Sequence, residues 1–132
     1  MNLIDEFLSI LGNNANLNWI DTSDITDMSG LFTEYTRYNF NGDISLWDVS
    51  NVTDMSRMFY GTSFNGDISN WDVSNVTTME TMFYKTAFNG DISKWNVKNV
   101  KNMKYMFCES KFTSDISKWN VRNVVDMSHM FE

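Results

Sequence analysis

The chain has 132 residues, 42% of them hydrophobic and 20% charged, with a net charge of −7. That composition suits one folded domain and excludes a disordered polymer, and its acidic balance excludes general nucleic-acid binding, which needs a basic surface. A single cysteine, Cys108, excludes an internal disulfide and a cysteine-rich zinc site. No stretch reaches the ~18 apolar residues of a spanning helix, so no membrane insertion is expected.

The first element is a short helix. Leu3, Phe7 and Leu11, with Ile4 and Leu8, recur at helical spacing. Asn2 can cap it, Asp5 and Glu6 suit its first turn, and Gly12 can end it. Residues 1–18 are therefore expected to form an N-terminal capping helix and linker. The start is acidic and lacks the basic region and small-residue cleavage site of a signal peptide.

From residue 19 to 132 the chain repeats itself, with a first irregular copy and an incomplete last one. The phrase at Asp24, DITDMSGLF, returns as NVTDMSRMF at Asn51, NVTTMETMF at Asn75, NVKNMKYMF at Asn99 and NVVDMSHMF at Asn123. Extra residues at Thr33 to Asn39 separate the first copy from the regular 24-residue period. Phe40, Phe64, Phe88 and Phe112 share one column, and Ile44, Ile68, Ile92 and Ile116 another. Trp47, Trp71, Trp95 and Trp119 make a third, and Val49, Val73, Val97 and Val121 a fourth.

Two periodicities alternate within each copy. In DISNWDVS, Trp71 and Val73 alternate as in a short strand. In NVTTMETMF, Val76, Met79, Met82 and Phe83 fall on one face of a helical turn or two, with Ser74 and Asn75 as caps. The fold class expected is an α/β repeat solenoid, leucine-rich-repeat-like, with one short parallel strand and one short helix per 24-residue coil.

Stacking would align the polar columns as well. Asn51, Asn75, Asn99 and Asn123 are expected to form a ladder that satisfies backbone groups at a corner. The matching column Asp43, Asp67, Asp91 and Asp115 has two readings: each carboxylate accepts hydrogen bonds from its own turn, or the column holds calcium. One aspartate per coil is thin for the second. Two glycosylation-type triplets, at Asn51 and Asn75, belong to the asparagine ladder and read as accidental.

The string FNGDISNWDVSNVTTMETMF, Phe64 to Phe83, resembles the repeat of the BspA-like surface proteins, in the variant known as a Mycoplasma lipoprotein-type repeat of unknown function. The resemblance covers roughly residues 19–132. It implies a leucine-rich-repeat-like solenoid, exposure at a cell surface, and a role in adhesion or protein binding. It brings no catalytic residue and no cofactor.

The chain halts at Phe131-Glu132, after the phrase of the last copy. Val124, Met127, Met130 and Phe131 are therefore expected to lack a covering coil. Residues 1–84 hold 12 acidic and 2 basic residues, and residues 85–132 hold 5 acidic and 8 basic. These unlike ends suggest head-to-tail association into filaments or rings, with Leu3, Phe7, Leu11, Ile25, Met28 and Leu31 on the receiving face. The alternative is a monomeric adhesin-like module. It would bind a host protein or glycan through outward columns that include Lys94, Lys98, Lys118 and Arg122.

No enzyme is expected. The one histidine, His129, shares a column with Arg57, Thr81 and Tyr105, which is too varied to hold a general base in place. No phosphate-binding glycine loop or His/Cys metal cluster is present in the sequence.

Overall fold

A computed structural model describes residues 3–33 and 38–132. The expected cap Asn2 lies outside the described residues, as do four of the extra residues at 33–39. One regular helix is present among the described residues, α1, Leu3–Leu11. Asp5 and Glu6 occupy its first turn, and the Gly12 N–H closes it on the Leu8 carbonyl at 2.9 Å with φ of +88°. Leu8 is its buried residue, and Ile4 packs against the core. No helix among the described residues is long and apolar enough to cross a membrane.

The expected α/β solenoid, with a strand and a helix in every coil, is not what the chain forms. Among the described residues no strand is longer than a single bridge, and no repeat contains a helix. The phrase at Asn75 shows why. An α-helix needs successive N–H groups to bond four residues back. Here the N–H groups of Val76 and Met82 reach only three residues back, to Val73 and Met79. Those of Met79, Thr81 and Phe83 leave the segment altogether and donate to Asn102, Lys104 and Met106, each at 2.9 Å. Thr81 also sits at φ of 56°, in the left-handed region that neither a right-handed helix nor a strand accommodates. In DISNWDVS, the Trp71 N–H closes a turn on Ile68, so the alternation of Trp71 and Val73 lies on a turn and not on a strand.

What replaces regular elements is a stack of turns in 24-residue register. Single parallel bridges run Asp27 to Asp54, Asp54 to Thr78, Thr78 to Asn102 and Asn102 to Asp126. Asn16 and Asp43 form another. The N–H of Phe32 donates to Met58, Phe59 to Met82, Phe83 to Met106 and Phe107 to Met130, at 2.8–3.0 Å. Each coil thus satisfies its backbone mainly by the coil beside it.

The side chains follow the same register. The rings of Phe32, Phe59, Phe83, Phe107 and Phe131 stack at 5.6–5.8 Å, and those of Phe40, Phe64, Phe88 and Phe112 at 5.9–6.1 Å. The methionines Met55, Met58, Met79, Met82, Met103 and Met106 are fully buried beside them. Each tryptophan of the column donates its Nε1–H to a main-chain carbonyl of the preceding coil: Trp47 to Leu17, Trp71 to Ile44, Trp95 to Ile68 and Trp119 to Ile92. The result is one continuous apolar core with its buried polar groups paired.

Candidate functional site

The residues proposed from the sequence for association lie at the two ends of this stack. In the last coil, Phe131 is 62% exposed, Met127 is 39% exposed and Val125 is 86% exposed. Val124 is half-buried and Met130 is buried. At the other end Leu3 and Leu11 are exposed, and Ile25 is just so. Phe7 is half-buried, its ring edge-on to the exposed Trp19 at 4.8 Å. Met28 is buried and Leu31 half-buried, so neither adds much accessible surface. Ile10, exposed on α1, belongs to this end and was not singled out by its spacing.

Between the ends the surface is different. The equivalents of Phe131 in the inner coils, Phe59, Phe83 and Phe107, are at most 2% exposed. Of the large exposed hydrophobic residues among the described ones, Leu46 alone falls in the middle coils; the rest belong to residues 3–38 or 125–131.

The backbone edges carry a second signal, one that no side-chain pattern encodes. In the inner coils the N–H two residues into each bridge region donates onward: Met55 to Thr78, Met79 to Asn102, Met103 to Asp126. The next donors follow suit: Arg57 to Glu80, Thr81 to Lys104, Tyr105 to Ser128. In the last coil the corresponding N–H groups of Met127, His129 and Phe131 have no acceptor among the described residues. In the first coil the corresponding carbonyls of Asp27 and Ser29 have no donor among them, and both residues are exposed. One end of the stack offers donors and the other offers acceptors.

The polar columns are occupied within the chain. Asn51 Nδ2 donates to the Ser23 carbonyl, Asn75 to Ser50, Asn99 to Ser74 and Asn123 to Lys98, at 2.7–2.8 Å. A second ladder is not evident from the sequence pattern. Asn41 Oδ1 accepts the Asn65 N–H, Asn65 that of Asn89, and Asn89 that of Thr113. Asp43, Asp67, Asp91 and Asp115 each accept the backbone N–H of the serine two residues on. The hydroxyl and backbone N–H of that serine hold each carboxyl below its usual range. At Asp67 the neighbouring Asp43 and Asp91 push weakly the other way. Among the described residues no three His, Cys, Asp or Glu side chains gather to hold a metal ion, and the calcium reading of this column has no support in its geometry.

Lys94, Lys98, Lys118 and Arg122 are all exposed. Lys118 borders a shallow depression with Asp91 and Asp115, where the opposite charges face one another. His129 stacks on Tyr105 at 4.7 Å and its Nδ1 lies 2.6 Å from Glu132. Cys108 is buried, and burial pushes its thiol up.

Two overlapping stretches, residues 2–110 and 62–132, match the family described as "Mycoplasma protein of unknown function, DUF285". No curated protein and no solved structure matches the chain. The chain belongs to the DUF285 family.

Proposed function

We propose that this DUF285 protein is a non-enzymatic interaction brick that associates with copies of itself head to tail, and that within the family it is a BspA-like surface protein. The observation that carries the reading is the concentration of exposed large apolar residues at the two ends of the stack, with Leu46 the one exception among the described residues. Such surface is costly to leave in water, at ~25 cal/mol per Å². The edge chemistry supports the same partner. The donors at Met127 and His129 match the acceptors at Asp27 and Ser29, so a second copy continues the inner bonding pattern. The basic half of the sequence would then meet the acidic half of a neighbour.

The test is sedimentation velocity at low salt with three proteins: the parent, Met127→Lys/Phe131→Lys, and Leu3→Lys/Leu11→Lys. The parent forms concentration-dependent species larger than a dimer, and each variant alone does not. A mixture of the two variants stops at a dimer, because each retains one working end. A parent that sediments as a monomer at every concentration overturns the proposal. The monomeric adhesin-like alternative, with Lys94, Lys98, Lys118 and Arg122 facing a partner, would then be the reading to pursue.

A further inference from the structure

A groove of about 810 Å³ runs across the first four coils. Tyr60, Tyr84 and Tyr105 line it, together with Arg57, Glu80 and Thr81. Serine hydroxyls of Ser29 and Ser56 border it too, so that seven of its ten lining residues carry a hydroxyl. None carries a large aliphatic side chain, and the walls hold one cation and one anion. Such a lining suits a ligand that is uncharged and rich in hydroxyls.

The backbone narrows the choice further. Main-chain donors along the groove are already consumed between coils, Arg57 to Glu80 and Thr81 to Lys104, each at 2.9 Å. An extended peptide lying in the groove would find no ladder to join. Recognition falls to side chains that recur at the spacing of the stack. The rings of Tyr60 and Tyr84 are parallel within 5° and 4.9 Å apart. Tyr60 and Tyr84 thus line the groove one coil apart, and Tyr105 of the next coil stands edge-on to Tyr84 at 6.4 Å. An extended β-1,4-linked glycan advances by a comparable distance per sugar.

The turns of the stack build this wall. Each coil turns here through a left-handed residue. In the first coil that residue is Gly30, at φ of 64°, which glycine adopts without strain. The later coils place Arg57, Thr81, Tyr105 and His129 there, at 58°, 56°, 57° and 57°. For β-branched Thr81 this is a true outlier. The left-handed residue belongs to the repeating turn, since Lys85, Glu109 and His129 adopt it away from the groove, and its effect here is to place Arg57, Thr81 and Tyr105 along one wall.

The geometry points to this groove as a binding site for an extended, uncharged, equatorially linked oligosaccharide, held about one sugar per coil. It shares Ser29 with the receiving end but includes neither Met127 nor Phe131, and a sugar titration reads sugar binding and not association. The experiment is isothermal titration calorimetry with β-1,4-linked hexasaccharides of glucose, N-acetylglucosamine and mannose. At least one binds, and Tyr84→Ala and the shape-conserving Glu80→Gln each weaken it about tenfold, the worth of one good hydrogen bond. Lys118→Ala, outside the groove, leaves the affinity unchanged. The proposal is overturned by no binding of any of the three at millimolar sugar. It is equally overturned by binding that survives Glu80→Gln and Tyr84→Ala.

Discussion

The rings of Phe107 and Phe131 stack 5.6 Å apart and 12° from parallel, yet Phe107 is 2% exposed and Phe131 is 62% exposed. The same residue type in the same column therefore has one neighbour at the end and two within the stack. Phe107→Ala should cost about 3–5 kcal/mol, because it leaves a cavity between two packed coils. Phe131→Ala should cost roughly 1 kcal/mol, from the one face it buries. Urea denaturation at low protein concentration, where association does not contribute, measures both. Equal losses would mean that the last coil is packed as tightly as the inner ones.

The tryptophan column makes a different test of the same stack. Trp95 is 4% exposed, and its Nε1–H donates to the Ile68 carbonyl at 3.0 Å. Trp95→Phe keeps much of the ring but strands that buried carbonyl. The expected loss is about 1–3 kcal/mol for the unsatisfied acceptor, with a further contribution from lost volume. Trp19, 59% exposed, serves as the control. Trp19→Phe should move the urea midpoint little.

These columns were legible in the sequence because burial repeats with the residue type. Phe64, Trp71, Val73, Met79 and Phe83 are all buried, as their 24-residue recurrence implies. The local conformation was not legible. Spacing of Val76, Met79, Met82 and Phe83 fits a helix, but it fits a chain of tight turns as well when alternate N–H groups bond to the next coil. Side-chain periodicity reports which face is apolar, not where the main-chain hydrogen bonds go. For the same reason Phe131 and Met127 could be named from the sequence, while the open carbonyls of Asp27 and Ser29 could not. Nor could the Tyr60–Tyr84 groove, since the strained position of Thr81 beside it shows only in φ.

That strained position yields a stability prediction of unusual sign. Thr81 holds φ of 56°, where Gly30 of the first coil holds 64°. A β-branched residue in the left-handed region costs on the order of 1 kcal/mol that glycine does not. Thr81→Gly should therefore leave thermal stability unchanged or raise it by up to about 1 kcal/mol. The gain is limited by the greater freedom of glycine in the unfolded chain. Gly30→Val should lower stability by at least a similar amount. Differential scanning calorimetry reads both, and a clear loss for Thr81→Gly would show that the hydroxyl, bonded to the Glu80 carbonyl at 2.6 Å, outweighs the strain.

Asp67 and Ser69 give the pH dependence. Ser69 donates its backbone N–H to Asp67 Oδ1 at 3.0 Å and its hydroxyl at 2.7 Å, and these bonds hold the carboxyl below its usual range. Asp43, Asp91 and Asp115 repeat the arrangement. A carboxyl with a depressed folded-state pKa binds fewer protons folded than unfolded. Its contribution is therefore whole above the unfolded value of ~3.9 and is lost as the pH falls through the folded one. Stability should be flat from neutral pH down to about 5 and should fall below about 4. Ser69→Ala should move the Asp67 titration, followed by NMR of its carboxyl carbon, upward toward the ordinary value. The Asp43 titration should follow only slightly in the opposite direction, because a more readily protonated Asp67 relieves its repulsion. An Asp67 titration unmoved by Ser69→Ala would assign the depression to some other partner and remove this column from the acid sensitivity of the fold.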